Sequence, residues 1–191
     1  MRLLFPLLAG LLMAAPADAQ TAMPRAFPVG WSAEAKGLEH VTNRLSLPCD
    51  INHIEARLKL SNPERRPQMM PATGLDLVAP GAALETVMLR LEDDGAGKPV
   101  LVLRKYGGPR PIDDMRFPVS LTYGQEVPVV IAWSADGEIS VTAGGRQNRM
   151  PLGAAPAAVE FFVQGGKGDV SQARFTWQGP AKPACPTPRG E

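Results

Sequence analysis

The chain has 191 residues, of which 45% are hydrophobic and 20% charged, and its formal net charge at pH 7 is +1. This length suits one domain with a sizeable core. The near-neutral balance, without a basic stripe or tail, gives no support for nucleic-acid binding.

Residues 1–19 have the pattern of an export signal. Arg2 supplies the positive start, residues 3–15 form a short apolar run, and residues 17–19 (Ala-Asp-Ala) form a small-x-small cleavage site. The apolar run is too short to span a bilayer comfortably. We therefore expect a signal peptide at 1–19 and a periplasmic or secreted mature protein with no membrane span.

Cys49 and Cys185 are the two cysteines of the chain. Export places them in an oxidising compartment, where no third cysteine competes for either thiol. We predict a disulfide between them, with two unrelated free thiols as the alternative. One disulfide is not a scaffold, so the core must contribute most of the stability.

The rest of the sequence divides into three parts. Residues 20–37 are predicted to be an N-terminal arm with a first short strand, residues 38–178 a β-sandwich domain, and residues 179–191 a proline-rich tail tied by the disulfide. In the first half, apolar residues alternate with polar ones at the period of a strand with one buried face. The predicted strands there are 27–31, 41–47, 54–60, a short edge strand at 75–79, and 87–91. Residues 100–103 are predicted to be a further strand, apolar on both faces and therefore in the middle of a sandwich.

Prolines and glycines separate these strands. The stretches 61–74 and 107–116 are predicted to be loops. Around ten short strands, with no long helical pattern, indicate an all-β, antiparallel sandwich or barrel.

The second half predicts a meander of four antiparallel strands at 125–134, 139–142, 159–163 and 173–177. Asp136-Gly137 is a strong hairpin signal because glycine adopts positive φ without a Cβ clash. Gly144-Gly145 is predicted to turn the chain into a loop that leads to the strand at 159–163, and Gly165-Gly166 is predicted to turn it again.

This meander, with an inward Trp133, the Asp136-Gly137 hairpin and a last strand ending in Phe175 and Trp177, resembles the C-terminal half of concanavalin A-like or laminin G-like jelly rolls. The resemblance covers residues 117–178. It implies a jelly-roll sandwich whose first and last strands run side by side, which would bring Cys49 toward Cys185. That superfamily includes lectins, glycan-binding modules, glycosidases and polysaccharide lyases, and the fold alone does not choose among them.

The sequence offers no clear catalytic motif. Glycosidases need two carboxylates on one face, but the chain has no Glu-x-Asp-x-x-Glu run, and the adjacent pairs Asp93-Asp94 and Asp113-Asp114 fit turns and solvation better. The stretch from His53 to Arg57 places three polar side chains on one strand face, as in alginate lyases. The other lyase motifs are missing, so a solvated face is the preferred interpretation.

No metal or other cofactor is predicted. The two histidines, His40 and His53, have no repeated spacing, and the chain has no aspartate-rich calcium loop. No Gly-x-Ser-x-Gly motif supports a nucleophilic serine.

Binding remains the best-supported class of function. Trp133 and Trp177 alternate with the core and are expected to be buried, which leaves Trp31, Tyr106 and Tyr123 as freer aromatic residues. The most distinctive cluster is Arg104, Tyr106 and Arg110, which we predict as a ligand-binding loop; a turn with solvated charges is the alternative.

The sequence thus favours an exported, non-catalytic binding module of the cell envelope, with glycan or an envelope protein as its candidate partner. A diverged carbohydrate-active enzyme and a structural or assembly protein of the envelope remain the alternatives.

Overall fold

The computed structural model describes residues 30–81 and 85–179. The predicted signal peptide, residues 20–29 of the arm and the tail that carries Cys185 lie outside these ranges. The described residues form ten β-strands, and no helix that could span a membrane is found among them.

The strands are β1 (Trp31–Ser46), β2 (His53–Ser61), β3 (Ala72–Val78), β4 (Glu85–Asp93), β5 (Pro99–Gly107), β6 (Arg110–Arg116), β7 (Val127–Trp133), β8 (Glu138–Ala143), β9 (Arg146–Pro151) and β10 (Ala158–Thr176). All strand pairs are antiparallel, and the hydrogen-bonded order is β6-β5-β4-β3-β10-β2-β7-β8-β9. Strand β1 lies outside this order and also pairs with β10.

The long strand β10 joins the two layers of a sandwich. Its residues 158–164 pair with β3, and its later residues, from Lys167 onward, pair with β2. Gly165 and Gly166, with φ of 55° and 156°, separate the two halves. A Cβ on Gly166 would lie 3.1 Å from the carbonyl oxygen of Ser61, so the backbones approach closely where β10 passes between layers.

Strand β1 follows β10 on its other edge, with a register shift between Ala35 and His40. We call the layer of β3, β4, β5, β6 and the adjoining halves of β10 and β1 the front sheet. The layer of β2, β7, β8, β9 and the other halves is the back sheet. The predicted antiparallel sandwich is confirmed, as is the pairing of the first and last strands.

The core lies between the two sheets. Leu58 of β2, Leu89 of β4, Ile131 of β7 and Phe161 of β10 are buried members of one apolar cluster. Each such side chain contributes roughly 1.5–3 kcal/mol of transfer free energy. Alternate residues of the same strands point outward, so each sheet also has an outer face, which we call the front face and the back face.

Several predicted elements are wrong. Residues 110–116 form β6 rather than a loop, β9 lies where a loop was expected, and β3 lies between β4 and β10 rather than at an edge. Because β6 and β9 are edge strands with mostly exposed side chains, they carry little of the alternation that marks a half-buried strand.

Two predicted breaks between strands are also wrong. Gly165-Gly166 does not separate two strands but lies within β10, so the meander has three consecutive strands, β7, β8 and β9. The predicted strand at 41–47 continues from Trp31 as the single strand β1. The Asp136-Gly137 hairpin between β7 and β8 is confirmed, with Gly137 at φ 81°.

Candidate functional site

An array of ion pairs crosses the front face from β4 to β6. Glu92 accepts hydrogen bonds on both carboxylate oxygens, from Arg90 Nε at 2.8 Å and from Arg104 Nη2 at 2.9 Å. Arg104 Nη2 also lies 2.8 Å from Oδ2 of Asp114. Because the strands hold these side chains side by side, the guanidinium groups and carboxylates form a rigid polar surface.

Arg104 is the centre of this array. Burial by itself would lower its pKa, but the hydrogen bond to Asp114, the charge of Glu92 and a hydrogen bond with Tyr106 hold the pKa above the usual arginine value. The guanidinium therefore stays charged, although its Nε is buried without a hydrogen-bond partner among the described residues.

The structure places two of the three predicted ligand residues together. Arg104 and Tyr106 are two residues apart on β5, and both are partly buried on the front face. Arg110 opens β6 opposite Gly107, one position from the partner of Tyr106, so it lies at the exposed end of the β5–β6 hairpin. The predicted loop is therefore wrong, since these residues lie on two paired strands, whereas their role in ligand binding stays a prediction.

An acidic pair lies beside the array. Asp76 of β3 is only 6% exposed and is directly opposite Glu160 of β10. Burial raises the pKa of Asp76 to about 7, the charge of Arg90 opposes this, and the charge of Glu160 adds to it. Oδ1 of Asp76 has no hydrogen-bond partner among the described residues. Asp76 lies between Leu75 and Leu77 and interrupts an apolar run, a feature that is visible in the sequence.

An aromatic side chain completes this part of the front face. Phe162 is 1% exposed although it lies on the outer side of β10. The His40 ring stacks on it at 5.7 Å, and the Arg90 guanidinium lies 5.1 Å from its centroid. Gly74 leaves the space that the ring needs, because a Cβ there would lie 3.1 Å from Phe162 Cε1.

The back face carries a depression of about 290 Å³ between β2, β7 and β10. Its outward side chains are Glu55, Arg57, Pro128, Val130, Gln172 and Arg174. We call this depression the back cleft. Glu55 and Arg57 therefore share a strand face as predicted, whereas Gln172 and Arg174 had no signal in the sequence, because their neighbours come from strands far along the chain.

His53, the third polar residue of that row, is buried. Its Nδ1 lies 3.1 Å from Thr176 Oγ1, and burial lowers its pKa against the opposing charge of Glu55. It therefore takes part in strand packing rather than in an exposed polar row.

The predictions for the aromatic residues are confirmed in part. Trp133 is buried, but Trp177 is only partly buried. Trp31 is not free: its ring stacks on Phe161 with centroids 6.1 Å apart. The Tyr123 hydroxyl donates to the carboxylate of Asp93.

The adjacent pair Asp93-Asp94 does form a turn, since Gly95 N donates to Asp93 Oδ1 at 2.7 Å and Ala96 N to Asp94 Oδ1 at 2.8 Å. Asp93 is buried rather than solvated. Among the described residues, no group of three or more histidine, cysteine, aspartate or glutamate side chains could hold a metal ion.

Comparison with known proteins shows that this chain has a fold similar to those of solved structures. No protein-family model and no curated protein matches the sequence. Among solved structures, the Bacillus licheniformis beta-glucanase is similar over 72% of this chain and 71% of its own, with 11% identity and a TM-score of 0.51. The carbohydrate binding module CBM66 from Bacillus subtilis is similar over 78% of this chain and 95% of its own, with 8% identity and a TM-score of 0.51. The fold is a concanavalin A-like jelly roll, as the strand pattern implied.

Proposed function

We propose that this protein is an exported, non-catalytic module of the cell envelope that binds glycan on the front face, around Arg104 and Tyr106. The observation that carries the proposal is the ion-paired array centred on Arg104. Its polar groups are fixed by one another before any ligand arrives, so binding costs little side-chain ordering.

Tyr106 gives this array an aromatic neighbour. It is partly buried and lies two residues from Arg104 on the same face of β5, so its position is set by the sheet. An aromatic ring beside fixed polar groups suits a sugar, which has C–H faces and hydroxyl edges. Two solved structures with this fold are a beta-glucanase and a carbohydrate binding module, and both support a glycan as the ligand class.

The array argues for binding rather than catalysis. Both oxygens of Glu92 already accept hydrogen bonds from arginines, and Arg104 holds Asp114. A carboxylate so engaged is a poor base or nucleophile, because its charge is stabilised by its partners.

A carbohydrate-active enzyme is the second candidate, and the Asp76–Glu160 pair is the observation that favours it. A glycosidase needs two carboxyl groups, one of which must carry a proton, and burial raises the pKa of Asp76 to about 7. The burial of Asp76 weighs against this role, since a general acid must reach the oxygen that it protonates.

The test uses residues 20–191, screened on a glycan array and then titrated by calorimetry with the glycans that bind. Loss of the ring in Tyr106→Ala should weaken binding about tenfold or more, as expected for one stacking contact with its hydrogen bonds. The matched control is Arg149→Gln on β9, which removes an exposed ion pair with Glu138 on the other sheet.

No glycan ligand, or equal affinities for Tyr106→Ala and the native protein, would overturn the front-face assignment. Turnover of a bound polysaccharide that is lost in Asp76→Asn would favour the enzyme. A fixed protein partner that co-purifies in native extracts, with no glycan ligand, would favour the assembly role.

Export is tested separately. Expression of the whole chain in a Gram-negative host should give a protein in the periplasm or medium whose first residue is Gln20, read by mass spectrometry of the intact protein. A chain that keeps residues 1–19 and stays in the cytoplasm would contradict it.

A further inference from the structure

The back cleft is a concave part of the back face. At about 290 Å³ it is near the lower end of the range for small-ligand sites, about the size needed for one sugar residue. It is formed by three hydrogen-bonded strands, with one bulge in β10, so its shape does not depend on a loop.

A β-bulge shapes one wall of the cleft. Ser171 pairs with Arg57 and Arg174 pairs with Glu55, so two residues of β10 lie opposite the single residue Ala56. Gln172 is in the bulge and has φ of 52°, which side chains other than glycine adopt rarely. This conformation turns its side chain toward the cleft, where Oε1 accepts a hydrogen bond from Arg57 Nε at 2.9 Å.

Gln172 thereby positions Arg57 while leaving part of the guanidinium available. The nearest carboxylate to Arg57 is that of Glu126, 3.6 Å from Nη1, and the two side chains are 41% and 46% exposed. Such an exposed and long ion pair is weak. A ligand carboxylate could replace it and form the two parallel hydrogen bonds that a guanidinium prefers.

A second cation lies across the same depression. Arg174 is exposed and forms no ion pair with any described residue, although Glu55 is its cross-strand neighbour. On the other side of β2, β7 contributes Pro128 beside Arg57 and Val130 beside Glu55, and Val130 is 37% exposed. The cleft therefore combines two cationic groups, one carboxylate that can accept from hydroxyls, and an apolar edge.

We propose that the back cleft is a second binding site, for a sugar residue that carries a carboxylate, such as a uronic acid. The carboxylate binds Arg57 and Arg174, the C–H face of the ring packs on Pro128 and Val130, and a hydroxyl donates to Glu55. The carboxylates of an acidic peptide would also satisfy the arginines, but aspartate and glutamate side chains have no hydroxyl to donate to Glu55. This site does not depend on the front face, which lies on the other sheet.

The test is calorimetric titration of residues 20–191 with trimers of galacturonate, mannuronate and guluronate, and with the neutral galactose trimer. We expect at least one uronate trimer to bind and the galactose trimer to bind at least about tenfold more weakly, since it lacks the charge-assisted hydrogen bonds. Arg174→Gln should weaken uronate binding about tenfold by removing one of those contacts.

Two further variants separate the site from a general effect of charge. Glu126→Gln frees Arg57 from its competing carboxylate and should tighten uronate binding by about threefold, a change expected from one weak exposed pair. Gln172→Gly relieves the positive φ and removes the acceptor that orients Arg57, so it should weaken binding without lowering the melting temperature.

The controls are Arg149→Gln, which removes a cation elsewhere on the back sheet, and Tyr106→Ala on the front face; both should leave uronate affinity unchanged. Failure of all three uronate trimers to bind would overturn the proposal, and so would an Arg174→Gln variant that binds as tightly as the native protein. Uronate binding lost in Tyr106→Ala but kept in Arg174→Gln would assign the ligand to the front face. If the front face alone failed to bind glycan, the proposal for the back cleft would still be supported by uronate binding.

Discussion

Asp76 of β3 and Glu160 of β10 lie directly opposite each other on the front face, and Asp76 is only 6% exposed. Two carboxyl groups this close, one of them buried, cannot both be ionised at low cost. Burial raises the pKa of Asp76 to about 7, and the charge of Glu160 adds to the effect.

This pair predicts a stability that falls as pH rises. In the unfolded chain Asp76 ionises near pH 4, whereas in the folded protein it keeps its proton up to about pH 7. Between these values the folded state binds more protons, so the free energy of unfolding should decrease, by the order of a few kcal/mol, and level off above pH 7.

Asp76→Asn should remove this contribution and raise the stability at neutral pH. The measurement is urea unfolding of both proteins at about pH 5 and about pH 8. Asp113→Asn, which changes an exposed aspartate of β6, is the matched control. Parallel pH profiles for native protein and Asp76→Asn would contradict the assignment.

Gly74 should not tolerate even a methyl group. A Cβ at this position would overlap the backbone carbonyl oxygen of Leu89 and crowd the ring of Phe162. Backbone cannot move aside as a flexible side chain can, so we expect Gly74→Ala to lower the free energy of unfolding by about 1–3 kcal/mol or more.

Gly107→Ala is the control for that experiment, because its nearest contact would be Ile112 Cδ1 at an ordinary 3.4 Å. Thermal unfolding should show little change for Gly107→Ala. Equal melting temperatures for the two variants would show that Gly74 is not the close-packed position described.

Asp93 is a buried carboxylate held by donors from three directions. The Tyr123 hydroxyl, Arg65 Nε at 2.8 Å and Gly95 N at 2.7 Å all donate to it. Burial alone would raise the pKa of Asp93, but these hydrogen bonds outweigh it and lower the pKa. Asp93 therefore contributes stability above about pH 4 that is lost as pH falls.

Tyr123→Phe removes one of these donors from a buried charge and should cost about 1–3 kcal/mol at neutral pH. The cost should shrink at acid pH, where Asp93 becomes protonated and needs the donor less. Urea unfolding as a function of pH measures both effects. A cost that stays constant into acid would mean that lost packing, not the hydrogen bond, explains the change.

The predicted disulfide between Cys49 and Cys185 remains a prediction, because Cys185 lies outside the described residues. The chain that leaves β10 is held near Cys49: Gln178 N donates to Asn52 Oδ1 at 2.7 Å, and Asn52 Nδ2 donates to Gln178 O at 2.8 Å. Exported protein should contain no titratable thiol. The double variant Cys49→Ala/Cys185→Ala should be less stable by roughly 2–5 kcal/mol. Two reactive thiols in native, exported protein would rule the disulfide out.

Much of the fold could be predicted from local pattern alone. In β2, the buried Ile54 and Leu58 alternate with the more exposed Glu55 and Lys59, and this period of two marks the strand directly. The same signal located β4, β7 and β8, whereas β5 was located by a run that is apolar on both faces. It failed for β6, where Ile112 is 60% exposed, because an edge strand with no dry face has no alternation to show.

Glycines in the sequence indicated where the backbone bends but not whether a strand ends there or continues with a new partner. Gly137 turns a hairpin, whereas Gly165 and Gly166 let one strand change partners from β3 to β2. Both need a backbone freed from a Cβ, so the residue type is the same and only the partners differ.

By itself, then, the sequence determined an all-β chain and most of its half-buried strands, since the burial of a strand face shows in the alternation of neighbouring residues. Export remains a prediction. Only the tertiary structure decided which polar side chains meet. Asp76 faces Glu160, and Gln172 orients Arg57, because strands distant along the chain pair in one register. That register arises from the packing of the whole core, and no local stretch of sequence contains it.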